Sequence, residues 1–194
     1  MDLKAIAANY EKMSDNELIS VATTNATGLL PEVYDIIEQE IKKRNLDPNI
    51  YEGLLAQNKE YTIEELLYYA QILRNLPCPI CSSTSDKLMA SSVHTVKSFV
   101  IFTATENKPI IGCPSCLDKK NNQAILMTSL LGWWGLPFGL VKTPIYIYKN
   151  IKAKKENKNL EVNPIFISFI EDHIGEIAAY ENNPEKLKEI ISQK

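Results

Sequence analysis

The hydrophobic positions of this chain take helical spacing near both ends, run in strand-like fashion in the middle, and merge once into a stretch with almost no polar positions. Near the start, Ser14-Asp15-Asn16-Glu17 stands ahead of Leu18, Ile19 and Val21. A serine followed three residues later by a glutamate is a capping box, which predicts a short helix. Val33, Ile36, Ile37 and Ile41 keep the helical period from Leu30-Pro31 to about Arg44, and Asn45-Leu46-Asp47-Pro48 closes the run. Thr62, with Glu65 three residues on, caps a third predicted helix built on Leu66, Leu67, Tyr69, Ala70, Ile72 and Leu73, which Pro77 stops. Towards the other end, Phe166, Phe169, Ile170, His173, Ile174 and Ile177 share a helical stripe, with Asn163 as cap. Asn182-Asn183 ends that helix, and Pro184 opens a last one over 185–191.

The middle reads differently. Residues 93–103 are rich in β-branched and aromatic residues and predict a strand, Thr105-Glu106-Asn107-Lys108 a turn, and Pro109-Ile110-Ile111-Gly112 the returning strand. Asp118 to Asn122 is polar and predicts a loop. Then Ala124 to Val141 reads AILMTSLLGWWGLPFGLV. Eighteen helical residues span ~27 Å, close to the ~30 Å of a hydrocarbon core. Three glycines, a proline and centrally placed Trp133 and Trp134 argue against one straight span, because spanning helices keep tryptophan at the interfaces. The run therefore predicts two arms bent at Gly135-Leu136-Pro137, the second continuing through Pro144-Ile145-Tyr146-Ile147-Tyr148. Such a hairpin either enters a membrane from one side or forms a buried core element that is apolar all round.

The cysteines change this picture most. All four fall in Cys78-Pro79-Ile80-Cys81 and Cys113-Pro114-Ser115-Cys116, on either side of the predicted strands. Two Cys-x2-Cys turns converge four thiolates on one tetrahedral ion, so Cys78, Cys81, Cys113 and Cys116 are the candidate metal ligands of a zinc ribbon. Pro79 and Pro114 stiffen the turns, and Gly112 is expected to supply an unusual backbone conformation before the second. An all-thiolate shell leaves no open position, so the expected Zn2+ is structural, with iron as the alternative metal. A thioredoxin-like pair lacks its βαβ context, and the start of the chain lacks the basic head and long apolar core of a secretory signal.

Charge divides the chain. Residues 1–76 carry 7 basic and 13 acidic groups, 77–160 carry 11 and 4, and 161–194 carry 3 and 7. The basic middle includes Lys142, Lys149, Lys152, Lys154 and Lys155 beside the apolar run, a pattern suited to anionic lipid. Nucleic acid is the weaker candidate partner, since the middle segment has no arginine to read bases and acidic segments flank it. No phosphate-binding glycine loop, nucleophile elbow or HExxH motif is present. The two histidines, His94 and His173, have no metal-ligand spacing and read as packing residues, so a non-enzymatic protein is expected.

Ser14-Asp15-Asn16-Glu17-Leu18, the paired CPxC motifs and Gly132-Trp133-Trp134-Gly135-Leu136-Pro137-Phe138-Gly139 together resemble a group of small bacterial proteins. These carry an SDxEL opening, a four-cysteine zinc ribbon and a GWWGxPxG apolar segment. The resemblance covers roughly residues 14–150 and implies no catalytic role. The expected fold is α+β, with small helical modules flanking a four-cysteine zinc ribbon and an apolar hairpin or helix. Its expected segments are a helical module (1–76), the ribbon (77–120), the GWWG segment (121–150), and a lysine-rich loop with C-terminal helices (151–194). The expected role is a zinc-ribbon adaptor or scaffold with a protein partner, cytoplasmic, peripheral or re-entrant at the inner membrane. Trp133 and Trp134 with the lysines would meet anionic lipid; the alternatives are a nucleic-acid-binding ribbon and a wholly soluble scaffold.

Overall fold

The Ser14 hydroxyl accepts from the Glu17 N–H at 3.3 Å, and the Glu17 carboxylate accepts from the Ser14 N–H at 2.7 Å, so the capping box forms. Thr62 and Glu65 repeat the same exchange. The computed structural model describes residues 2–99, 102–159 and 161–192. Its elements, in chain order, are α1 (Leu3–Lys12), α2 (Asp15–Thr24), α3 (Pro31–Lys43), α4 (Asn49–Gln57), α5 (Ile63–Arg74), β1 (Met89–Phe99), β2 (Phe102–Gly112), α6 (Pro114–Leu131), α7 (Phe138–Glu156), α8 (Pro164–Asp172), α9 (Ile174–Ala179) and α10 (Pro184–Ser192). The fold is α+β. The chain separates into two compact units, Met1–Tyr69 with Ile170–Gln193, and Ala70–Phe169. The last two helices thus belong with the first four, rather than forming a segment with the lysine-rich stretch.

The first unit is helical. Leu18, Ala22, Val33, Ile37, Ile41, Ile50 and Leu54 build its core. Helices α4 and α9 cross at Gly53 and Gly175, where a Cβ on Gly53 would lie 2.6 Å from the Gly175 carbonyl oxygen. Gln57 locks the same region by accepting from the Ala26 N–H and donating to the Ala22 carbonyl. The unit carries 8 basic and 19 acidic groups.

The second unit, with 12 basic and 5 acidic groups, is built on the ribbon. β1 and β2 pair antiparallel in a register running from Met89↔Gly112 to Phe99↔Phe102. The predicted turn at 105–108 is therefore corrected: Thr105 to Lys108 lie within β2, opposite Val96 to Val93. Val100 and Ile101, read as strand, lie outside the described residues. The sequence misleads here because β2 is the exposed strand, so Glu106, Asn107 and Lys108 sit in water while paired. Pro109 is tolerated for the same reason, since an edge strand has an N–H to spare.

Helices α6 and α7 pack on β1 as an antiparallel pair. This overturns the expected polar loop at 118–122 and the expected lysine-rich loop after 150, for both stretches are helical. The expected bend is present at Gly132–Pro137, where the Leu136-Pro137 peptide is cis.

Candidate metal centre

Pro77 ends the approach from α5, and Pro79 to Cys81 form a turn that brings Cys78 and Cys81 to one side. The Cys78 N–H donates to the Ser83 carbonyl at 2.8 Å, and the Ser82 N–H donates to the Cys78 carbonyl at 2.7 Å. Ser82 takes a φ of 60°, so the left-handed residue of this centre is a serine and not Gly112, whose φ is not positive. Gly112 supplies room instead. A Cβ there would lie 3.0 Å from Ile80 Cδ1 and 3.7 Å from Cys78 Sγ.

The second cysteine pair is not a matching turn. Cys113 is the N-cap of α6 and Pro114 its first residue, so Cys116 lies in the first helical turn. The helix N-terminus brings unpaired N–H groups and positive dipole to two thiolates. The Cys113 N–H also reaches across to Cys78 Sγ at 3.3 Å.

The four sulfurs lie within 4.8 Å of one another, and Cys81 Sγ and Cys113 Sγ are 3.7 Å apart. None is in a disulfide. A tetrahedral ion with bonds of ~2.3 Å to sulfur separates its ligands by ~3.8 Å, so the cluster fits such an ion. Cys78, Cys113 and Cys116 are buried while Cys81 is exposed. Burial raises the Cys113 thiol, but hydrogen bonds from the Ser115 hydroxyl and the Cys116 N–H outweigh it and bring the group down to about 7. Burial and the neighbouring thiols hold Cys116 well above the ordinary thiol range. Four such sulfurs ionise together only if a cation neutralises them. Among the described residues, no other group of His, Cys, Asp or Glu gathers as this one does. His94 packs edge-on against Tyr146, and His173 Nδ1 pairs with Glu176 at 2.8 Å.

The centre is the base of the helical hairpin, whose burial is inverted. Leu117, Asn121, Ala124 and Thr128 of α6 are buried at helical spacing, as are Gly139, Thr143, Asn150, Ala153 and Asn157 along α7 and its C-terminal cap. This inner stripe hydrogen-bonds the free edge of β1. Asn150 accepts from the His94 N–H at 3.0 Å and donates to the His94 carbonyl at 2.6 Å, as a third strand would. Thr128 Oγ1 accepts from the Val96 N–H, and Asn121 donates to the Ser92 carbonyl. Asn121 also bonds Asn150 and Asn157, so the amides form one chain.

The outer face is apolar. Leu130, Trp134, Leu136, Phe138, Val141 and Tyr148 are each 60 to 69% exposed. The indole N–H groups of Trp133 and Trp134 donate to the Ser129 and Leu130 carbonyls at 2.9 Å, capping the end of α6 and leaving the rings without an unpaired donor. Lys142 Nζ stands 5.9 Å from the Phe138 ring centre and Lys149 Nζ 5.1 Å from that of Tyr146. Lys154 bonds Asn122, and Lys152 pairs with Glu156. Sequence reasoning missed the inner stripe, although its signal, small and polar residues at helical spacing inside an apolar run, was present.

No helix among the described residues is long and apolar enough to cross a membrane. No family model matches the chain, and neither a curated protein nor a solved structure is detectably similar to it.

Proposed function

We propose that this protein is a non-enzymatic adaptor in which a structural zinc ion holds an apolar helical hairpin against the cytoplasmic face of a membrane. Cys78, Cys81, Cys113 and Cys116 would hold the ion, and zinc suits a closed, redox-inert tetrahedral thiolate site. Its chemistry there is cross-linking: it ties the turn before β1 to the start of α6.

One observation carries the reading. The hairpin turns its amides and hydroxyls inward and its large apolar side chains outward, an arrangement whose outer face is costly to leave in water. Lysines at 142, 149, 152, 154 and 155 follow one another along α7, which carries part of that face, and this favours an anionic lipid surface over another apolar protein surface. The acidic helical unit, repelled by the same surface, is left to recruit a protein partner.

The test is flotation with phosphatidylcholine vesicles with and without phosphatidylglycerol. The protein should float with the anionic vesicles and be partly released by salt. Trp133→Ser with Trp134→Ser should abolish flotation while leaving bound zinc, measured by elemental analysis, unchanged. A wild-type protein that stays at the bottom of the gradient sinks the reading. Visible thiolate-to-metal bands in the purified protein would replace zinc by iron.

A further inference from the structure

We propose that Phe99 and Phe102, the paired end residues of β1 and β2, insert into the same leaflet beside the helical bend, together with Trp134, Leu136 and Phe138. This rests on the membrane reading above and adds a second inserting element to it. The two tips are neighbours. Gly135 packs against Thr103 and Ser98, and a Cβ on Gly139 would lie 3.0 Å from Ser98 Oγ. Ser98 and Thr103 are cross-strand partners, and the Ser98 hydroxyl donates to that of Thr103 at 3.1 Å. Side chains alternate along a strand, which puts Phe99 and Phe102 on the ribbon face away from the bend. They are 67% and 65% exposed, as open as Trp134.

Depth is the second argument. Lys97 follows the same alternation as Phe99 and is exposed, two strand residues behind it, or ~7 Å. Lys142 lies four helical residues behind Phe138, or ~6 Å. Two elements of different geometry thus place a lysine at one distance behind an aromatic tip. That distance falls within the ~5–10 Å to which interfacial segments sink below the headgroups. Anionic headgroups would meet Lys97 and Lys142 at one level, with Phe99, Phe102, Trp134 and Phe138 beneath them. The hairpin does not open to go deeper, because separating α7 from β1 strands the amide chain of Asn121, Asn150 and Asn157.

The experiment uses the full zinc-loaded chain and vesicles of phosphatidylcholine with phosphatidylglycerol. Phe99→Ser with Phe102→Ser should weaken binding about tenfold or more while zinc content and melting temperature hold. Lys97→Glu and Lys142→Glu should each weaken binding to these vesicles by a similar factor. Trp133 and Trp134, the only tryptophans, report insertion directly through quenching by brominated lipid. If the double phenylalanine variant binds and is quenched like wild type, the ribbon tip stays out and this inference falls while the membrane reading stands. An effect of Lys142→Glu with none from Lys97→Glu overturns it equally. Wild-type protein that neither binds nor is quenched overturns both readings; self-association that the phenylalanine substitutions abolish would make the tip a face between copies.

Discussion

Asn150 ties α7 to both β1 and α6 through one buried side chain. Its side chain satisfies both main-chain groups of His94, donates again to the Tyr146 carbonyl at 2.9 Å, and accepts from Asn121 at 3.3 Å, all at 0% exposure. Replacing it by leucine keeps the volume and leaves the His94 N–H and carbonyl without partners. Each buried group left unpaired costs about 1–3 kcal/mol, so Asn150→Leu is expected to destabilise by about 2–6 kcal/mol. Urea unfolding of the purified protein measures this. A loss below about 1 kcal/mol would mean that water replaces the amide and that β1 has no real third partner.

The hairpin formed by α6 and α7 depends on close approach at its closed end. A Cβ on Gly139 would meet the Gly132 carbonyl oxygen at 2.5 Å, a backbone atom that cannot rotate away. Gly139→Ala should therefore spread the arms and cost about 1–3 kcal/mol, with faster amide exchange at Val96 as the Thr128 bond is strained. This hairpin is also where the sequence was hardest to interpret. The capping boxes of α2 and α5 and the paired cysteines are legible because each is a short motif whose chemistry is complete within a few residues. Helix α4 is not, because Ile50, Gly53, Leu54 and Ala56 are buried against different partners and leave a weak stripe. In the run from 124 to 141 the apolar residues dominate the count, while the folding information lies in Thr128, Gly132 and Gly139, and continues in Thr143 and Asn150. The bend is legible from Gly135 and Pro137. Which face turns inward depends on β1, 32 to 56 residues away, and no local pattern reports it.

Across the whole molecule, charge and the cysteine cluster divide along the same line. The unit that holds the cysteines is basic, and the unit without them is acidic and has its own apolar core. A structural zinc contributes about 10–16 kcal/mol of apparent binding energy, at least as much as the about 5–15 kcal/mol by which a domain is stable. A strong chelator should accordingly unfold residues 78–157 and leave the helical unit folded. Hydrogen exchange should show protection lost at Val96, Leu117 and Asn150 and kept at Leu18, Ile37 and Leu54. Uniform loss throughout the chain would show that the two units fold as one.

The amide clasp on β1 also sets a timetable for synthesis. His94 waits for Asn150, which comes 56 residues later in the chain. Asn150 follows the last cysteine, Cys116, by 34 residues, so at ~5–20 residues per second the ribbon spends about 2–7 s with its cysteines present and one strand edge open. Within that interval the GWWG segment emerges before most of the helix that turns it outward. The nascent chain is thus at its most adhesive just before its last inner asparagines arrive, and a truncation between residues 139 and 150 would hold it there.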